Sequence, residues 1–242
     1  MKLQEIYIHL DKISPFELQE KWDNSGLIVG DLNREVSQII VSLDVDADII
    51  EKAEEGTLFV VHHPLIFDKL TQLDFAKYPS NLLEKMILKN QSCIALHTNF
   101  DQTHLNKYVF ENVLGFPMAS QNDFLCTAEG EWEYKALLKH IKEKLNLPTL
   151  KVVGKKEKIT SIALCTGSGA SLIDEVEADC FLTGDIKYHD AMKAISEDLM
   201  MVDIGHYESE QFFAEILADE LKVLPILAII ANSKNPFHTE TY

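Results

Sequence analysis

The sequence predicts an α/β protein built from two related halves, each around a mostly parallel sheet. Short runs rich in β-branched residues alternate with amphipathic helical stretches along most of the 242 residues, which is the grammar of βαβ units. That grammar then repeats. "IIVSLDVDADIIEKAEEGTLFVVHH" and "SIALCTGSGASLIDEVEADCFLTGD" both read as strand, small or polar turn, helix, strand and polar pair. Asp44 to His62 spans 18 positions, and so does Thr166 to Gly184. Any two βαβ units share an outline, but the matched spacing favours an internal duplication.

In order, "LQEIYIHLDKISP" predicts an amphipathic helix, with Leu3, Ile6, Leu10 and Ile13 on one face and Ser14-Pro15 ending it. "DNSG" is turn chemistry before the short strand "LIVGD". "VSQIIVSLD" reads as a strand, and "DADIIEKAEEG" as a helix capped by Asp46 and closed by Gly56. "TLFVVHH" is a buried strand, "SNLLEKMILKN" a helix and "SCIALHTNFD" a strand with a loop after it. "THLNKYVFENVLG" continues as a helix, and "VGKKEKITS" is a charged hairpin or loop. The turn-rich stretch 115–123 separates the halves. The expected domains are therefore 1–120 and 121–222, with an apolar strand in 223–242 returning to complete the first. Trp22 reads as a core or domain-interface residue rather than a stacking platform.

Composition narrows the function classes. No apolar run approaches the ~20 residues that span a bilayer, and the first residues lack the apolar core of a signal peptide. The four cysteines, Cys93, Cys126, Cys165 and Cys180, are scattered without a C-x-x-C spacing, so a reduced, cytoplasmic setting is expected. A net charge of −17 argues against a nucleic-acid partner, which needs a basic footprint. A small anionic substrate stays compatible, because a local metal charge outweighs distant screened carboxylates.

Ligands of open α/β sheets gather at the carboxyl ends of strands. There the sequence places His62 and His63 in "VVHHPLIF", then His97, Asn99 and Asp101 in "ALHTNFD". Asp185 and His189 follow "CFLTG", and His206, Glu208 and Glu210 follow "LMMVDIG". Each motif alone has a plain structural reading: a hydrogen-bonded histidine pair, a turn and cap, an acidic helix start. Their convergence at one kind of position points to metal. His206 and Glu210 stand at i, i+4, on one face of a helix that begins there. Imidazoles and carboxylates suit divalent Zn, Fe, Mn, Co or Ni. No cysteine joins the cluster, which argues against a Cys-rich structural zinc site.

Together "WDNSGLIVGD", "VVHHPLIF", "ALHTNFD", "TGDIKYHDA" and "DIGHYESE" resemble, over nearly the whole chain, the dinuclear-metal proteins known as GTP cyclohydrolase I type 2 and their homologues. The resemblance implies two interlocked α/β domains with a metal site between them. It implies a homo-oligomer, a ring-shaped hexamer. It also implies that His62, His63, Asp101, His206 and Glu210 hold two divalent ions per chain, Glu210 bridging. The extra domain of longer members is missing here. The expected activity is conversion of GTP to 7,8-dihydroneopterin triphosphate and formate, as in pterin and folate biosynthesis. His97 and His189 are the candidate acid–base residues, and Lys187 and Tyr188 the candidate contacts to triphosphate or base. The rivals are another metal-dependent nucleotide or phosphoester hydrolase, and a non-catalytic metal-binding or interaction protein.

Overall fold

The computed structural model describes residues 1–231, 233–238 and 240. The chain forms a mixed α/β fold with two sheets and divides into two compact units. One is Met1–Phe100 with Phe213–Lys234, and the other is Asp101–Phe212 with the residues from Asn235 onward. The chain thus crosses over at Phe100/Asp101 rather than in the turn-rich stretch 115–123. Turn composition marks where backbone is exposed, whereas this crossing runs inside a helical stretch.

In the first unit, α1 (Leu3–Ile13) buries Leu3, Ile6 and Leu10 completely, as the apolar spacing requires. The sheet has the order β1 (Gly26–Val29), β4 (Ser92–Ala95), β3 (Leu58–Val61), β2 (Ile39–Ser42), β11 (Ala228–Ile230). All its pairings are parallel except β1 with β4. Strands β2, β3 and β4 are buried throughout, so they read as unbroken apolar runs. Between them lie α2 (Ala47–Lys52), whose cap Asp46 accepts a hydrogen bond from the Ile49 amide at 2.8 Å, and α3 (Ser80–Leu88). Helix α2 stops at Ala53; Gly56 turns the chain beyond it at φ +74°.

In the second unit a parallel trio, β8 (Lys158–Leu164), β9 (Cys180–Thr183) and β10 (Met200–Asp203), again forms the middle. It is flanked by antiparallel β6 (Leu125–Glu133) with β5 (Ser120–Asn122), and by β7 (Lys151–Val153). "VGKKEKITS" is a connection rather than a hairpin, since β7 pairs with β10 and β8 with β6. Helices α5 (Tyr134–Lys144) and α6 (Tyr188–Ser196) and a 3₁₀ turn at Ala170–Glu175 complete the layer. Each unit therefore carries three adjacent parallel strands with a helical crossover after the first and the second. This is the architecture expected of two duplicated halves.

The start of β9 is tied down by Asp179. Its carboxylate accepts from the Thr160 amide at 2.7 Å and the Thr160 hydroxyl at 2.6 Å, and it pairs with Lys156 at 3.2 Å. The Thr160 bonds, then the lysine, hold this carboxyl below its ordinary range. The stabilisation is therefore full above the unfolded carboxylate value of about 3.9 and is lost as pH falls through the lower native value. Asp179→Ala is expected to cost about 1–2 kcal/mol near neutral pH. Urea midpoints measured down the acid range should show the gap from wild type closing; a gap that persists in acid assigns the loss to packing instead.

Candidate metal centre

In the first unit the side chains with metal-binding chemistry stand at the ends of β2, β3 and β4. The run Leu58–Val61 is apolar and buried on both faces, and Pro64 turns the chain just beyond it. The amides of His62 and His63 both donate to the Leu43 carbonyl, at 3.2 and 3.1 Å. Nδ1 of the fully buried His62 donates to the Leu96 carbonyl at 2.9 Å. His63 Nδ1 meets Asp44 Oδ1 at 2.8 Å, and His97 Nδ1 meets Asp23 Oδ1 at 2.7 Å. With the proton on Nδ1 in each ring, the lone pair lies on Nε2. An acceptor behind the ring is the usual partner of a metal-binding histidine, because it fixes tautomer and orientation. One ligand atom from each of His62, His63 and His97 lies within 4.8 Å of the others.

These acceptors are themselves held. The Ser233 hydroxyl, just past β11, accepts from the Leu43 and Asp44 amides at 3.0 and 3.3 Å. The Asp23 side chain is fully buried and also takes hydrogen bonds from the Thr98 amide at 3.1 Å, the Thr98 hydroxyl at 2.5 Å and the Ser25 hydroxyl at 3.1 Å. Burial alone would push this carboxyl up. The bonds from His97, Thr98 and the Asn24 amide outweigh it and hold Asp23 far below the ordinary carboxylate range. Asp23 is an anion at every physiological pH.

In the second unit Asp185 follows β9, and His206 and Glu210 follow β10. Helix α7 (His206–Glu210) makes the expected i, i+4 pair: His206 Nε2 lies 3.0 Å from Glu210 Oε2. His206 Nδ1 meets Asp185 Oδ2 at 2.7 Å. Glu210 is 3 % exposed and Asp101 8 %. Asp101 opens a π-helical turn, Asp101–Leu105, directly after α4 (Thr98–Phe100). The loop after β8 wraps Glu210 closely. A β-carbon on Gly167 would sit 2.0 Å from Glu210 Oε1, and Gly167 has φ +62°, so no other residue fits there without displacing the carboxylate.

The donor set fits divalent metal. Glu210 and Asp101 are both nearly buried carboxylates, a concentration of negative charge that a cation offsets. Burial, then the nearby Asp101 and Glu210, push the Cys165 thiol well above its usual range. Cys165 therefore stays a neutral thiol, and nitrogen and oxygen are the available ligand types.

Both units thus place imidazole and carboxylate side chains just beyond strands of their parallel trios. A family model described as Duf34/NIF3 (NGG1p interacting factor 3) matches residues 1–236. The chain belongs to the Duf34/NIF3 family. A Campylobacter jejuni member named "GTP cyclohydrolase 1 type 2 homolog" is 49% identical over 239 residues, covering 98% of this chain and 99% of that protein. A Helicobacter pylori member named "GTP cyclohydrolase 1 type 2" is 42% identical, covering 97% of each chain. A crystal structure of a Staphylococcus aureus hypothetical protein superposes with a TM-score of 0.86 at 26% identity over 99% of both chains. Among the described residues no helix is long and apolar enough to cross a membrane.

The Duf34/NIF3 fold brings His97 beside His62 and His63, and His206 beside Glu210. It leaves Lys187, Tyr188 and His189 exposed on the first turn of α6, outside the groups of potential metal ligands found among the described residues. Sequence reasoning missed Asp23 and Asp44 as partners of the histidines. "DNSG" reads locally as a turn, and nothing local ties Asp23 to a histidine 74 positions away.

Proposed function

We propose that this chain is a metal-dependent hydrolase of a purine nucleotide, and that its reaction is the conversion of GTP to 7,8-dihydroneopterin triphosphate and formate. The observation that carries the reading is the set of imidazoles at the strand ends, each with Nδ1 bonded to a carbonyl or carboxylate and each with a ligand atom within 4.8 Å of the others. The names of the Campylobacter and Helicobacter relatives supply the substrate. In this reading His62, His63, Asp101, His206 and Glu210 hold two divalent ions per chain. When bound, such ions supply Lewis acidity and bring the acidity of water towards neutral pH.

The chain's own residues do the rest. His97 takes and gives a proton at Nε2 while Asp23 keeps the Nδ1 proton in place. The positive charge that forms on the ring meets the Asp23 anion. His189 is the alternative proton carrier, and the exposed Lys187 and Tyr188 meet the triphosphate or the base. Opening the imidazole ring of guanine at C8 needs both an acid and a base, and a histidine held in one tautomer serves as each in turn.

Incubating the protein with a panel of nucleotides, loaded in turn with Zn, Fe, Mn, Co or Ni, tests this reading. Mass spectrometry should find ring-opened or pterin products from GTP. Phosphate release without ring opening redirects the reading to a nucleotide or phosphoester hydrolase. No turnover with any metal removes the enzymatic reading and leaves a metal-binding or interaction protein.

A further inference from the structure

Two large aromatic rings stand in solvent beside the imidazoles of the first unit. Trp22 is 60 % exposed and Phe67 48 %, so of the two places the sequence context suggests for Trp22, core or domain interface, the core is excluded. The two rings touch, with centroids 5.8 Å apart. Both meet His97 edge-on, at 6.2 Å from Trp22 and 6.0 Å from Phe67. They come from segments 45 positions apart in the chain, so their meeting is a product of the fold rather than of local sequence.

The frame beneath them is rigid and polar. Asp23, next to Trp22, is locked by His97, Thr98 and Ser25. Asn24 Nδ2 donates to the Ile66 carbonyl at 2.6 Å, tying the Trp22 loop to the residue before Phe67. Single wet apolar side chains are ordinary on a surface. A paired set, fixed on hydrogen-bonded loops against a histidine that is only 14 % exposed, is the form of a binding wall.

We propose that Trp22 and Phe67 form a stacking wall for the planar base of the substrate, a purine, and so hold the base beside His97. This deepens the reading of the centre given above and rests on it. Stacking recognises the flat face of a ring and is tolerant of its substituents. The wall selects for the size of the fused ring, so guanine and adenine should bind alike. The named residues offer no hydrogen-bond pattern that would separate the two.

The test uses the full chain and four probes: GMP, AMP, ribose 5-phosphate and inorganic phosphate. Only the first two carry a base. Tryptophan fluorescence is excited at the red edge of indole absorption, where nucleotides are transparent. GMP and AMP should quench it saturably and with similar affinity, and the other two should not. Trp22→Phe should abolish the quench, leaving Trp132 as the reporter, while equilibrium dialysis finds GMP affinity within about twofold of wild type. Trp22→Ala should weaken GMP binding about tenfold or more. Circular dichroism of both variants checks the fold, and the retained affinity of Trp22→Phe guards against a merely structural loss.

Equal quenching by ribose 5-phosphate, no saturable quench by GMP and AMP, or unchanged affinity in Trp22→Ala overturns the wall. The two readings fail separately. If wild type turns GTP over and Trp22→Ala does so with unchanged KM, the wall is wrong and the hydrolase stands. If no nucleotide is turned over yet GMP and AMP bind through Trp22, the wall stands and the reaction falls.

Discussion

Wild-type protein loaded with divalent metal and freed of excess is expected to retain two equivalents per chain, and Glu210→Ala to retain far less. Glu210 is almost fully buried, lies 3.0 Å from His206 Nε2 and is enclosed by Gly167. Alanine removes a buried anion and the carboxylate at His206 Nε2, leaving Asp185 at Nδ1. His63→Ala removes a nitrogen ligand from the other half of the proposed set and should lower the count as well. Asp44→Ala is the informative comparison. It leaves every proposed ligand in place and removes only the acceptor on His63 Nδ1. Losing such an acceptor weakens metal affinity by about 10–100-fold, so Asp44→Ala should fill at high metal and empty faster on dialysis. Elemental analysis together with a chelator competition reads both effects. If Glu210→Ala and His63→Ala keep full occupancy, the ligand assignment is wrong.

The strand ends were legible because they rest on local rules. A buried apolar run that stops at His62-His63-Pro64 can only be leaving a sheet, and the i, i+4 spacing of His206 and Glu210 can only meet on a helix. What was not legible depends on contacts between distant segments. Asp23 and Asp44 look like turn residues until the fold sets them behind His97 and His63. The helix after His97 reads as one regular stretch. In the structure it contains π-helical turns at Asp101–Leu105 and Tyr108–Val113, an extra residue per turn that side-chain periodicity does not announce. Trp22 shows the same limit from the other side, since hydropathy assigns a tryptophan to the interior and only the fold shows the ring standing in solvent. The antiparallel flanks of the second sheet were also hidden, because neither β6 nor the three-residue β7 shows the regular in-and-out alternation that marks a half-buried strand.

Once GTP turnover is established, His97→Gln is expected to lower it by about 10²–10⁴-fold, the usual contribution of a general acid–base group, with both metals retained. His97 lies close enough to His62 and His63 to be a ligand by distance. The argument for proton transfer is its partner. Asp23 is fully buried, accepts from Thr98 and Ser25 as well as from His97, and is held as an anion. That arrangement fixes the Nδ1 proton and meets the charge that appears when Nε2 takes a second one. Asp23→Asn tests the pair without removing the ring. An amide at that position can donate to Nδ1 and so invert the tautomer, and kcat should fall by a similar factor while metal content stays at wild type. His62→Ala, by contrast, should lose metal and turnover together. Metal analysis and steady-state kinetics on the same preparations separate these outcomes. If His97→Gln loses metal in proportion to activity, His97 is a ligand. If it turns over at the wild-type rate, His97 is structural, and His189 on the first turn of α6 becomes the proton carrier to test.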